Sequence, residues 1–265
     1  MDLGLANKVA LVTGGSRGIG LRTARLFAEE GCNLGLCGRN AADVEAAAAE
    51  LRGRGVKVAA MAADVTALDE AKAFVEHCAA ELGRIDILVN NVGGSVGGRT
   101  LMETTDDDWQ RTFEFNPFQI VRMSRLVVPY LRRQGGGAII NLASISGWHP
   151  QLSGTPQYGA AKSAVIYLTE HLALELARDK IRVNTVSPGS IIFDGGGWDD
   201  YRLGNPDDYA TYVREGFPMG RLGSPEEVAQ VIVFMASPRA FWINGRHIPV
   251  DGLEQPVPAP GYKPW

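Results

Sequence analysis

Cysteine is scarce: the 265 residues hold three, Cys32, Cys37 and Cys78, an odd number with no Cys-x-x-Cys spacing. A chain of this length does not need disulfide staples, so a reducing, cytoplasmic compartment is expected. Positive charge is not in excess either. The formal net charge is −4, which leaves no global field to draw in a nucleic-acid backbone or an anionic lipid surface. A run of about 18 apolar residues is missing, and the start, Met1-Asp2-Leu3-Gly4, has an acid where a secretory signal has basic residues. Nucleic-acid binding, membrane insertion and secretion are therefore not expected. No repeat of roughly 20 to 50 residues and no Pro- or Ser-rich linker divides the chain, so residues 1–265 are read as a single domain.

Glycine is what the sequence has in plenty, 32 of 265 residues, well above the average of about 7%. No Gly-X-Y period accompanies it, which excludes collagen, and 45% hydrophobic residues suffice for a large core. Seven short aliphatic runs read as strands: Val9 to Val12, Leu34 to Leu36, Val56 to Ala62, Ile85 to Val89, Ala138 to Leu142, Arg182 to Val186 and His247 to Val250. Between them lie helical patterns at Ile19 to Glu30, Ala41 to Arg54, Asp69 to Leu82, Asp106 to Arg133, Ser153 to Arg178 and Pro225 to Met235. Those runs that are apolar throughout rather than alternating, such as Val9 to Val12, indicate strands covered on both faces. The predicted architecture is doubly wound α/β, with about seven parallel strands and helices on both faces.

The first strand runs into Thr13-Gly14-Gly15-Ser16-Arg17-Gly18-Ile19-Gly20 and then a helix. Glycines there let the backbone take positive φ and let a diphosphate approach, while the helix N-terminus faces the anion. The spacing differs from Gly-x-Gly-x-x-Gly, and the Gly-Lys-Ser/Thr of a P-loop is absent. Set between a strand and a helix, Gly14, Gly18 and Gly20 point to a dinucleotide, with Ile19 packing the helix on the sheet. The second strand ends at Gly38-Arg39 without an acid that would repel a 2′-phosphate, and Arg17 adds a second guanidinium. This favours NADP(H), with NAD(H) possible as a second cofactor. Asp64-Val65 after the third strand offers a carboxylate and an N–H to an adenine edge, and Asn90-Asn91-Val92-Gly93-Gly94 forms a glycine turn after the fourth.

Tyr158 and Lys162 stand four residues apart, hence on one face of a helix. An ammonium beside a phenol moves it toward a pKa useful for proton transfer. Ser144 and Ser146 follow a buried strand, where a neutral hydroxyl can donate to a carbonyl oxygen. Asn116, followed by Pro117 inside a long helical pattern, marks a break that frees a backbone carbonyl.

Taken together these motifs closely resemble the short-chain dehydrogenase/reductase family, in its single-domain branch that includes 3-oxoacyl-[acyl-carrier-protein] reductases, from about Leu5 to Gly252. The resemblance implies a Rossmann-type fold and transfer of hydride between NADP(H) and a carbonyl or secondary alcohol. It further implies a catalytic set of Asn116, Ser144, Tyr158 and Lys162. Cofactor contacts are implied at Gly14, Ser16, Arg17, Gly18, Ile19, Gly20, Arg39, Asp64, Val65, Asn91, Gly93, Pro188, Gly189 and Ile191, besides Tyr158 and Lys162. In that scheme Lys162 lowers the Tyr158 pKa and Asn116 keeps a water path. A homotetramer is implied, built on the helices of Asn116 and Tyr158 and on Phe241 to Gly252, and no metal is expected. The sequence departs from the family pattern at Val92, at Pro117, in a longer loop carrying Trp148 and His149, and at Phe193, where a threonine is usual. On the residues alone, a non-redox relative such as a dehydratase or epimerase, or a nucleotide-binding regulator, stays open.

Substrate walls are expected at Gly94 to Arg99, at Trp148 to Ser153, and in a lid at about 190–220 that carries Trp198, Tyr201, Tyr209 and Phe217. The acids Asp194, Asp199 and Asp200 argue against a strongly anionic substrate unless Arg99 or Arg202 faces inward. A proline-rich tail follows at 254–265.

Overall fold

The computed structural model describes residues 1–150 and 155–256. Ser153, expected to begin the sixth helix, and the tail prolines Pro258, Pro260 and Pro264 lie outside the described residues.

Seven strands form one parallel sheet: β1 (Val9–Thr13), β2 (Asn33–Gly38), β3 (Val58–Ala62), β4 (Ile87–Asn90), β5 (Gly137–Leu142), β6 (Ile181–Pro188) and β7 (His247–Val250). Their order is β3-β2-β1-β4-β5-β6-β7. Both faces are covered by α1 (Gly18–Glu29), α2 (Ala41–Arg52), α3 (Leu68–Leu82), α4 (Asp106–Phe113), α5 (Gln119–Arg133), α6 (Pro156–Leu176) and α9 (Pro225–Ala236). Two further helices, α7 (Gly197–Gly204) and α8 (Pro206–Gly216), fill the interval between β6 and α9. Among the described residues no helix is long and apolar enough to cross a membrane.

The apolar runs make this a two-faced sheet. Along β1, Ala10 and Val12 enter one core with Ala24 and Phe27 of α1 and Val228 and Ile232 of α9. The intervening Val9 and Leu11 enter the opposite core, with Phe74 of α3, Met123 and Val127 of α5 and Leu176 of α6. Period-two alternation sends successive side chains to opposite faces, so a strand covered on both sides can be apolar at consecutive positions, as β1 is. Each fully buried Phe or Leu contributes about 1.5 to 3 kcal/mol.

The sheet order reverses at β1, which pairs with both β2 and β4. Ligands of open α/β sheets bind outside the carboxyl ends of the strands at such a point. Hydrogen bonds hold those ends together. The Thr13 hydroxyl accepts from the N–H groups of Asn91 and Val92 at 3.0 and 3.2 Å, and the Asn91 amide donates to the carbonyls of Thr13 and Gly14 at 2.9 and 3.1 Å. Deeper in the sheet, buried Asn90 donates to Asn141 at 2.8 Å, and Asn141 donates to Thr169 of α6 at 2.9 Å.

The strand expectations hold in number and place, with β3 and β4 each starting two residues later than expected and β4 reaching Asn90. The long helix expected over Asp106 to Arg133 differs: a π-helical segment, Glu114–Phe118, separates α4 from α5. Pro117 inside it has no N–H to continue an α-helical ladder, and wide π turns accommodate such a residue.

Candidate active site

The glycine loop follows β1 directly. Gly14 and Gly18 have φ of 63° and 54°, a region that penalises a side chain. Gly20 is needed for a different reason: a Cβ there would overlap the Gly14 carbonyl and lie 2.6 Å from the Asn91 amide. The three glycines shape the turn and let α1 approach it. Asn40, Thr105 and Ser224 cap α2, α4 and α9 with their side chains, whereas Arg17 gives α1 no side-chain cap and no acid stands in its first turn. The first N–H groups of α1 are left free for an anion.

A cleft beside this loop is lined by Gly14, Ser16, Arg17, Gly18, Ile19, Arg39, Asp64, Val65, Asn91 and Gly93, with Phe115 and Phe193. It shares Ile19, Asn91, Gly93 and Phe193 with a second cleft, lined by Leu142, Ser144, Tyr158, Lys162, Pro188, Gly189, Ile191 and Trp198. Every expected cofactor residue except Gly20 faces one of the two. Gly20 lies inside the loop packing instead. A long ligand with an anionic centre fits this double cleft: the adenine-side residues are at one end, the uncapped helix is in the middle, and Ser144, Tyr158 and Lys162 are at the other.

The reactive end is built from β5, α6 and the loop after β6. Ser144 follows β5, and its Oγ accepts from the Ser146 N–H at 3.2 Å, which leaves its own hydrogen free to donate. Ser144 and the Tyr158 phenol line the same cleft. Lys162 is 2% exposed and donates to the Leu142 carbonyl oxygen at 2.8 Å. Its Nζ lies 5.6 Å from the Tyr158 ring centroid. Burial brings the Lys162 pKa down to about 7. The expected pull of Lys162 on Tyr158 does not govern in this structure: burial holds the phenol above its ordinary value, and the nearby Ser144 hydroxyl works against that rise.

Asn116, fully buried in the π-helical segment, donates to the carbonyls of Gly94 at 2.7 Å and Thr112 at 2.6 Å, and its Oδ1 accepts from the Gly94 N–H at 3.3 Å. Gly93 lies between Asn116 and Lys162: a Cβ at this position would be 2.8 Å from the Asn116 Oδ1 and 2.7 Å from the Lys162 Nζ. The wide turn around Asn116 thus comes close to the lysine through Gly93, where any larger residue would displace the Asn116 and Lys162 side chains.

The walls differ in part from expectation. Trp198 lines the catalytic cleft, and Phe193 lines both halves, its ring against the backbone of Gly18. Trp198 stacks on Tyr212 at 4.9 Å and 11°. Among the expected walls, Gly94 to Arg99 and Trp148 do not line the catalytic cleft. Two residues escaped the sequence reading. Phe115 lines the adenine-side cleft with the Arg39 guanidinium 5.8 Å from its ring; neighbouring Asn116 drew attention to the segment, but a π turn alters which residue faces inward. Glu254 is buried against the loop after β6, and nothing in a proline-rich tail signals that.

Residues 8–194 match the model of the short chain dehydrogenase family. A 3-oxoacyl-[acyl-carrier-protein] reductase of Chlamydia muridarum is 36% identical over 252 residues, covering 94% of this chain and 97% of its own. The solved L-sorbose reductase of Gluconobacter frateurii, complexed with NADPH and L-sorbose, superposes with a TM-score of 0.90 at 37% identity, over 97% of this chain and 100% of the other. A 7α-hydroxysteroid dehydrogenase complexed with NADH and 7-oxo glycochenodeoxycholic acid superposes at 0.88 with 29% identity, over 97% of each chain. This chain belongs to the short-chain dehydrogenase family, as an NAD(P)-dependent oxidoreductase of carbonyl and alcohol groups.

Proposed function

We propose that the enzyme is a cytoplasmic, NADP(H)-preferring reductase or dehydrogenase of a ketone and its secondary alcohol, similar in chemistry to 3-oxoacyl reductases. The observation that carries the reading is the meeting of Ser144, Tyr158 and Lys162 in a cleft continuous with the uncapped N-terminus of α1. A bound nicotinamide supplies or accepts the hydride at the substrate carbon. Ser144 donates to the substrate oxygen, and Tyr158 delivers a proton to that oxygen in reduction and removes it in oxidation. Lys162, held by Leu142, positions the cofactor ribose beside the phenol. Asn116 keeps the proton route open through the widened turn.

Preference for NADP(H) rests on Arg39 and Arg17, both exposed beside the adenine-side cleft, with no acid at the end of β2. We read the chain as one domain in which α7 and α8 form a lid over the substrate, with Trp198 as its cleft-facing aromatic. A homotetramer is supported by large apolar side chains left in solvent: Tyr167 and Leu174 on α6, and Phe241 and Trp242 before β7. The test is turnover of NADPH and NADH with a panel of 3-oxoacyl thioesters, cyclic ketones and ketoses. Consumption of NADPH with at least one carbonyl is expected. Tight cofactor binding without turnover of any of them would contradict the reading.

A further inference from the structure

After β7 the chain turns back on itself. Leu253 takes φ of 62°, its N–H donates to the Asp251 carboxylate at 3.0 Å, and the Gln255 N–H donates to the Gly216 carbonyl at the end of α8 at 2.8 Å. This turn inserts the Glu254 side chain into the protein, where it is 4% exposed. Its carboxylate accepts from the Ser190 N–H at 2.6 Å, from the Ser190 hydroxyl at 2.9 Å and from the Tyr212 hydroxyl at 3.2 Å. The neighbouring charge is Asp251, of the same sign, so hydroxyl and amide donors alone support it. A carboxylate in a chain-terminal turn loses nothing by staying in water; burying it is costly unless its oxygens are satisfied.

The two donors belong to different parts of the site. Ser190 follows Pro188-Gly189 in the loop at the reactive end of the cleft, and Gly189 leaves room for the acid, since a Cβ there would lie 2.6 Å from Glu254 Oε2. Tyr212 stands on α8 and stacks on Trp198 of α7, which lines the same cleft. Glu254 is thus hydrogen-bonded at once to the loop and to the α7–α8 segment.

We propose that Glu254 is a positioning residue that latches the α7–α8 segment to the Pro188–Ile191 loop, so that the substrate wall at Trp198 and the nicotinamide side of the cleft are set together. The proposal rests on the oxidoreductase reading above for its kinetic consequence, but not for its structural one. Ser144 follows β5, and Tyr158 and Lys162 stand on α6, all outside the latch, so loosening it acts on substrate binding before chemistry.

The experiment compares the full-length wild type with Glu254→Gln, Glu254→Ala and Tyr212→Phe by limited trypsin digestion, with cleavage sites mapped by mass, and by steady-state kinetics on the best carbonyl of the panel. A hydrogen bond to a charged group is lost in the Glu254 variants, so cleavage after Arg202 and Arg214 should accelerate about tenfold or more. Cleavage after Arg25 and Arg133, outside the segment, should keep its wild-type rate. KM should rise about tenfold with kcat within about threefold, and Tyr212→Phe, which removes one hydroxyl, should give a smaller change of the same kind. Wild-type cleavage at Arg202 and Arg214 in the Glu254 variants, or equal acceleration at all four sites, overturns the latch. So does a Tyr212→Phe variant indistinguishable from wild type. Failure of the wild type to turn over any carbonyl would instead defeat the functional reading, and the digestion would still decide the latch.

Discussion

The Lys162 Nζ donates to the backbone carbonyl oxygen of Leu142 at 2.8 Å, joining α6 to the end of β5 inside the protein. This bond orients the amine beside Tyr158, but one carbonyl does not replace the hydration that a buried ammonium loses. The consequence is a pKa lowered by burial to about 7 from an ordinary 10.5.

That shift fixes the sign of a pH effect. Between about 7 and 10.5 the unfolded chain holds a proton on Lys162 that the folded chain has released, so stability rises with pH across this window. Below it both states are protonated, and the folded state bears the full cost of the buried charge. Thermal melts of wild type and Lys162→Met should show the wild type gaining on the variant as pH increases through the window. A constant or shrinking difference would mean that Lys162 keeps its charge when folded.

Arg39 gives the cofactor prediction. Its guanidinium is exposed at the end of β2, 5.8 Å from the Phe115 ring, where a charge-assisted hydrogen bond to a 2′-phosphate would be made. Arg39→Ala should lower kcat/KM for NADPH about 10- to 100-fold while leaving NADH nearly unchanged. Equal losses with both cofactors would place Arg39 outside phosphate recognition.

Phe193 stands where the family usually has threonine, and its ring lies where a Cβ on Gly18 would come within 2.8 Å of it. It lines both halves of the cleft, so a ligand spanning them has to share that space or displace the ring. Phe193→Ala should lower the Kd for NADPH several-fold, on the order of 1 kcal/mol, by removing that displacement. Weaker binding, measured by fluorescence titration, would show the ring to be a clamp on the cofactor rather than an obstacle.

How far the sequence reveals this molecule depends on whether the information is local. The consecutive apolar residues Val9 to Val12 of β1, Ile87 to Val89 of β4 and Ala138 to Ile140 of β5 disclose strands covered on both faces, and the glycine loop discloses its own turn, because glycine adopts the positive φ at 14 and 18 without strain. Asn116-Pro117 signals a break, but not that a π turn would bring Phe115 to the cleft. In the stretch from Asp194 to Gly220, glycines and acids mask the helical register of α7 and α8, whose helices depend on packing Tyr212 and Phe217 against Leu222. Glu254 is legible only in three dimensions, since its partners Ser190 and Tyr212 lie 64 and 42 residues away. The upward direction of the Tyr158 shift likewise follows from burial, which the Tyr-x-x-x-Lys spacing does not encode.

The central claim is that Tyr158 carries the transferred proton while its neighbours hold cofactor and substrate. The most direct measurement is kcat for Tyr158→Phe beside the wild type on the same carbonyl with NADPH, with Kd for NADPH determined in parallel. The account predicts a fall in kcat of about 10²- to 10⁴-fold with cofactor affinity within about twofold of wild type. A variant that turns over at near-normal rate while binding NADPH normally would contradict it.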